Sequence, residues 1–219
     1  MTDAQLQAQY ALRFEGKTAY RRRVWAALVD YFSRWIPPDA VVLDVGCGWG
    51  EFINAVRARE RFGMDLNPES ARRLSPEVTF LHQDCSASWQ VPPASLDVVF
   101  SSNFFEHLPD KESLRRTLDQ AHRCLKPGAR LICMGPNIRY LPGTYWDFWD
   151  HYLPLTHLSM SEGLRLAGFS VERAVPRFLP YSMSQGMEPP VALLRLYLRM
   201  PMVWRLFGKQ FLIVAVKAR

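Results

Sequence analysis

The sequence predicts an α/β protein built around a parallel β-sheet. Three observations carry this. Short β-branched apolar runs alternate along the chain with segments of helical period, and strands that alternate with helices pack as right-handed parallel units. Three glycines at 46, 48 and 50 follow the first of those runs directly, where a strand would turn into a helix. The composition, 48% hydrophobic and 22% charged over 219 residues, is that of a chain able to bury a core and excludes a disordered one.

The elements follow in order. Residues 18–36 place Tyr20, Val24, Ala27, Leu28, Tyr31, Phe32 and Trp35 at helical spacing, and Pro37-Pro38 ends that helix. The run 40–45 (AVVLDV) reads as a buried parallel strand. After the glycines, 51–59 reads as a helix and 61–66 as a second strand, closing at an acid and Asn67-Pro68. Residues 78–82 and 95–101 form the third and fourth strands. A helix over 111–124 ends at the turn Lys126-Pro127-Gly128, and 129–134 is the fifth strand. Residues 137–157 (NIRYLPGTYWDFWDHYLPLTH) have no clean period. A helix over 160–167 and strands over 169–174 and 211–216 complete the pattern, with a proline-rich and amphipathic stretch over 176–209. The chain therefore reads as one domain, 1–219, with an N-terminal helix and two insertions, at 137–157 and 176–209.

Charge and cysteines bound the function classes. Lys plus Arg outnumber Asp plus Glu by 27 to 21, a net +6. That suits an anionic acceptor or a membrane surface and falls short of a nucleic-acid footprint. Cys47, Cys85, Cys124 and Cys133 make no CxxC pair, which argues against zinc; they read as small core residues of a reducing compartment. The first 17 residues lack the apolar core of a signal peptide, and no run reaches membrane-spanning length. A cytoplasmic protein is expected.

The glycine loop, Asp44-Val-Gly46-Cys-Gly48-Trp-Gly50, lets backbone approach a ligand closely. Asp65 ends the next strand, where an acid bonds a ribose diol, and Asp84 follows the third, where it can accept from an adenine amino group. A pyrophosphate cofactor would meet GxGxxG. Here the loop is GxGxG and Asp44 precedes it, which repels pyrophosphate and suits a cation.

With these residues in place the sequence resembles class I S-adenosylmethionine-dependent methyltransferases of the small-molecule type. The motifs are VLDVGCGWG, GMDLNP, LHQDC, LDVVFSSNFFEHL and CLKPGARL, in order over about residues 40 to 135. The resemblance implies a Rossmann-like, seven-stranded, mostly parallel sheet with helices on both faces and an antiparallel last strand. It implies S-adenosyl-L-methionine as cofactor, with Asp44, Gly46, Cys47, Gly48 and Gly50 at the methionyl part. Asp65 and Leu66 then fall at the ribose, Asp84 and Cys85 at the adenine, and Asn103 beside them.

The acceptor side follows the fourth strand, in Ser101-Ser102-Asn103-Phe104-Phe105-Glu106-His107. Methyl transfer is an in-line displacement that rewards alignment. A hydroxyl acceptor also needs a base, and His107, beside Glu106, titrates in the right range. The other reading of His107 is packing at the start of the next helix. Related branches bind a divalent metal through ExxEH; here Asn103 replaces the first Glu. Its carbonyl, with His151 or His157, could still complete a site, but with that carboxylate lost no metal is expected. Asn137 and Arg139 could grip an acceptor, and Tyr145, Trp146, Trp149 and His151 could wall it, or the segment could be a satellite cluster under a loop. One of Arg21, Arg22 and Arg23 could reach across the cofactor mouth. The stretch 191–207 could pack on the core with its arginines snorkelling outward, which is the preferred reading, or make peripheral contact with a membrane.

These features favour methyl transfer to a small-molecule or glycan-type acceptor, at oxygen. There is no NPPY-like tetrapeptide after the fourth strand, which argues against amino methylation of nucleic acid. A non-catalytic cofactor-binding module and an RNA methyltransferase are the competing readings.

Overall fold

The computed structural model describes residues 18–181 and 188–218; residues 1–17 and part of the second insertion lie outside them. Strand β1 (Val41–Val45) is buried at every position and lies inside the sheet, with a parallel strand on each side. Strands β2 (Glu60–Asp65), β3 (Val78–His82), β4 (Leu96–Ser102) and β5 (Leu125–Pro136) run parallel to it. With β6 (Phe169–Val175) and β7 (Gln210–Lys217) the order is β3-β2-β1-β4-β5-β7-β6, and β7 is antiparallel to both its neighbours. That is the expected mostly parallel sheet with a reversed last strand. Among the described residues no helix is long and apolar enough to cross a membrane.

Strand alternation sorts the core onto two faces. Val42, Val98, Phe100, Ile132 and Leu212 face helices α1 (Thr18–Phe32) and α2 (Glu51–Ala55). Leu43, Val45, Val99, Leu131 and Ile213 face α3 (Lys111–Cys124) and α4 (His157–Leu166). Two short helices, α5 (Val191–Leu198) and α6 (Pro201–Phe207), lie beside α1. All four cysteines are buried and free.

The structure corrects several boundaries. Helix α2 stops at Ala55 and Val56 is extended, because the chain must return to the sheet: the amides of Arg59 and Glu60 both reach the Ala40 carbonyl. The Lys126-Pro127-Gly128 turn lies inside β5. There Gly128 takes φ +80°, the register with β4 shifts between Leu96 and Val98, and Lys126 bonds Asp97 at 2.7 Å. Helix α4 begins three residues early because Thr156 and Ser159 form a reciprocal capping box. The stretch 191–207 is two helices, and only Leu198 and Trp204 are buried in them. The stretch does pack on the core, through Val191, Leu194, Tyr197, Leu198 and Trp204 with its arginines outward, while Leu193, Leu196, Met200, Met202, Leu206 and Phe207 stay exposed.

An aromatic stack holds α1 and α2 to the sheet. Phe52 lies flat on Phe100 at 3.6 Å between ring centroids, and Trp25 and Phe32 meet Phe100 edge-on at 6.2 and 5.3 Å. Phe100→Ala should cost about 3–5 kcal/mol of stability, read as a lowered midpoint in urea unfolding.

Candidate active site

The glycine loop is wound by its own hydrogen bonds. The amides of Gly46 and Cys47 both donate to the Met64 carbonyl, at 2.9 and 3.0 Å. Gly46, Gly48 and Gly50 have φ of +72°, +54° and +75°, conformations that cost other residues dearly. Gly46 is also needed for space, since a Cβ there would overlap the Phe104 ring. Asp65 is the tie between strands: its two carboxylate oxygens accept from the amides of Gly48 and Asn67, each at 2.8 Å.

The loop is electrically negative. Asp44 and Asp65 are both buried, and Glu51 stands at the start of α2. Burial, then the charges of Asp65 and Glu51, push the Asp44 carboxyl well above the usual range. The same causes, burial first and then Asp44 and Asp65, push the Cys47 thiol up, so it is an inert neutral wall. Arg21 of α1 pairs with Glu51 at 2.6 Å. Such a pocket selects a cation carrying hydroxyls, and the sulfonium, amino and ribose groups of S-adenosylmethionine meet that description. The side-chain oxygen of Asn103, at φ +49°, is buried without a hydrogen-bond partner.

Toward the expected adenine end the surface opens. Leu66 and Asp84 are exposed at the edge, with Asp84 capping the Ser86 amide at 2.7 Å. His82 meets the Leu66 carbonyl at 2.9 Å. Cys85 departs from its expected place: its thiol points into the core and accepts from Thr117 at 3.3 Å, leaving only its backbone near the edge.

Beyond β4 the chain gathers a second polar group. Ring nitrogen Nδ1 of His107 faces the Asp150 carboxylate at 3.0 Å and the Asp150 carbonyl at 2.9 Å. Both are acceptors, so Nδ1 carries the proton and Nε2 keeps a bare lone pair. His151 Nδ1 meets the Tyr145 carbonyl at 2.8 Å, which assigns the same tautomer. One ligand-capable atom from each of Glu106, His107 and His151 lies within 4.8 Å of the others. Burial acts to lower the His107 pKa, but the Asp150 bond and the charges of Glu106 and Asp150 outweigh it and leave it raised. Asp150 is the residue that sequence reasoning passed over; its place directly before His151 was the available signal.

The aromatic insertion is pinned. The Tyr152 and Leu153 amides donate to the Glu106 carbonyl at 2.9 and 3.0 Å, and the Tyr145 hydroxyl to the Leu153 carbonyl at 2.6 Å. Several expected acceptor residues are thereby reassigned. Tyr145 is fully buried and serves as a strut. Asn137 is buried, and its amide donates to the Pro176 carbonyl at 2.8 Å and meets His157 at 3.0 Å. His157 is thus held away from the Glu106 cluster. Trp149 is 92% exposed and walls nothing in the free protein. Arg139 and Trp146 are exposed. A cavity of about 350 Å³ lined by Asp97, Lys126 and Arg130 opens at the opposite, amino-terminal edge, where sheets of this kind do not bind their ligands.

A sequence model of a methyltransferase domain family matches residues 18–172. The chain is similar to the 2-methyl-6-phytyl-1,4-hydroquinone methyltransferase of Synechocystis, 30% identical over 154 residues, covering 61% of this chain and 47% of that one. The chain spans about half the length of the curated relatives it matches first, 47% and 52%. Among solved structures it is similar to a Haloferax volcanii complex of the Trm112 methyltransferase activator with a methyltransferase. There the TM-score is 0.71 at 21% identity, covering 99% of this chain and 97% of that one. It is also similar to the geranyl diphosphate C-methyltransferase of Streptomyces coelicolor, solved with Mg2+, geranyl diphosphate and S-adenosyl-L-homocysteine. That match has a TM-score of 0.64 at 16% identity, over 88% of this chain and 77% of that one.

Asp44 sets stability against binding. Its carboxyl pKa lies above the unfolded value, so ionising it costs folding free energy. The penalty is absent below the unfolded pKa of about 4 and grows as pH rises through the folded value. Asp44→Asn should raise the Tm of the free protein at neutral pH, by about 2–4 °C for each kcal/mol recovered. The same change should weaken S-adenosylmethionine binding about 10–150-fold through loss of a charged acceptor. Calorimetric melting and ligand titration check the two halves separately.

Proposed function

This chain belongs to the methyltransferase domain family matched over residues 18–172, and we propose that it uses S-adenosylmethionine to methylate an oxygen atom of a small-molecule acceptor, with His107 as general base. The observation that carries this reading is the His107–Asp150 pair, which orients a bare Nε2 beside Glu106 at the carboxyl edge of β4. When bound, S-adenosylmethionine supplies a methyl carbon made electrophilic by its sulfonium. Asp44 and Asp65 would hold the cofactor's polar ends, and Gly46, where a Cβ would overlap the Phe104 ring, would keep the loop open for it. His107 Nε2 would take the proton from the acceptor hydroxyl as that oxygen is methylated. Asp150 fixes the tautomer and stabilises the imidazolium. Support for a hydroxylated acceptor comes also from the similar Synechocystis enzyme, which is named for a phytyl hydroquinone.

A second reading is favoured by the cluster itself. Two imidazoles whose Nδ1 protons are held by oxygen acceptors, together with a buried carboxylate, are the donor set of a divalent cation. Glu106, His107 and His151 would hold it and would polarise the acceptor oxygen. Exhaustive chelation distinguishes the two. Turnover that survives supports the base; turnover lost and restored by magnesium or zinc supports the cation.

The base reading also has a pH signature. The raised His107 pKa means the imidazole is protonated, and idle, below a midpoint above 6.5. The kcat/KM should therefore fall on the acid side with that midpoint. Asp150→Asn removes a cause of the rise and should move the limb to lower pH. His107→Ala should lower turnover about 10²–10⁴-fold with cofactor affinity nearly intact.

A further inference from the structure

We propose that the paired helices α5 and α6 form a docking face for an anionic lipid bilayer. Leu193, Leu196 and Met200 stand three and four residues apart, one stripe along α5 and its end, and each is exposed. Met202, Leu206 and Phe207 continue the apolar surface on α6, at 83%, 71% and 59% exposure. Leu198 and Trp204 are buried, and Val191, Leu194 and Tyr197 pack half-buried beside them, so the exposed apolar side chains lie on the outward side of the pair. The helices are braced as a unit: the Trp204 indole donates to the Tyr197 carbonyl at 2.7 Å, and the Tyr197 hydroxyl to the Phe178 carbonyl at 2.6 Å. Six large apolar side chains left exposed on two braced, consecutive helices are the kind of surface that marks an interaction site.

Charge identifies the occupant. Arg195 and Arg199 repeat along α5 beside the leucine stripe, and Arg205 does so on α6; all three are exposed. The chain has no acidic residue from 189 to 219, against three arginines between 191 and 207. Asp30 approaches Arg195 at 3.7 Å, from a side chain that is itself exposed. An apolar stripe flanked by cations is the arrangement that lies in the interface plane, its apolar residues among acyl chains and its arginines at anionic headgroups. Neither helix is long enough to cross, so the contact is peripheral.

The test uses the full chain sedimented with sucrose-loaded vesicles, one set of phosphatidylcholine alone and one containing phosphatidylglycerol. Binding to the anionic set at low salt, weakened by added salt, is expected. Each arginine near an anionic surface contributes about fivefold, so the combined Arg195→Gln, Arg199→Gln, Arg205→Gln variant should lose about a hundredfold in partitioning. Leu196→Gln, Met202→Gln and Leu206→Gln together should also release the protein, with its arginines intact. All six side chains are exposed, so circular dichroism and Tm should stay at wild-type values, which separates lost docking from lost folding. Absence of anionic-vesicle binding by the wild type, or a triple-arginine variant that binds as the wild type does, would overturn the proposal. So would a concentration-dependent dimer, abolished by the apolar substitutions and without vesicle affinity, which would assign the face to a second copy of the chain.

Discussion

The site depends on one electrostatic arrangement, the burial of Asp44 and Asp65 around a glycine loop at the carboxyl edge of the sheet, with Glu51 close by. Asp65 joins that loop to β2 through the amides of Gly48 and Asn67, so the group expected to hold a ribose also holds the loop's shape. Asp44 has no such compensation. Its carboxyl is pushed up by burial and by its acidic neighbours, so its ionised form is disfavoured unless a cation stands beside it. Arg21 neutralises Glu51 from outside and draws the start of α1 to the cofactor edge, where the Tyr20 hydroxyl reaches the Pro189 carbonyl at 2.9 Å. The charge arrangement thus connects the cofactor loop to the segment that leads into α5.

The acceptor side is organised by a different device. The backbone of Glu106 is clamped by the Tyr152 and Leu153 amides, and the two histidines are oriented through Nδ1 by Asp150 and the Tyr145 carbonyl. The aromatic insertion is thereby a fixed strap over the β4 turn, and its buried tyrosine is a strut within it. The tautomers of both histidines are fixed, because Nδ1 of each faces oxygen acceptors: Asp150 for His107 and the Tyr145 carbonyl for His151.

Much of this was legible in the sequence, for physical reasons that differ by element. The strands were readable because a parallel strand covered on both faces must be a continuous apolar run, as Val41–Val45 is. Asp65 was readable because the strand–loop–helix spacing places it at the same edge as the glycines. The β5 irregularity was not, since Lys126-Pro127-Gly128 has turn chemistry and only the pairing with β4 shows that the strand passes through it. Asn137 looked like a ligand-gripping amide; its partners at Pro176 and His157 are distant in sequence and invisible from it. Asp150 was missed because its partner, His107, is 43 residues away. The apolar stretch over 191–207 was legible only in part: helical periodicity reports a stripe, and it cannot say which of the apolar side chains face the core.

Titration calorimetry of S-adenosylhomocysteine into the wild type and into Asp65→Ala tests the acidic pocket most directly. Wild-type binding, weakened about 10–150-fold when the charged acceptor is removed, is the expected result. Equal affinity in the two proteins, or no binding to the wild type at millimolar ligand, would contradict the assignment of this edge as the cofactor site.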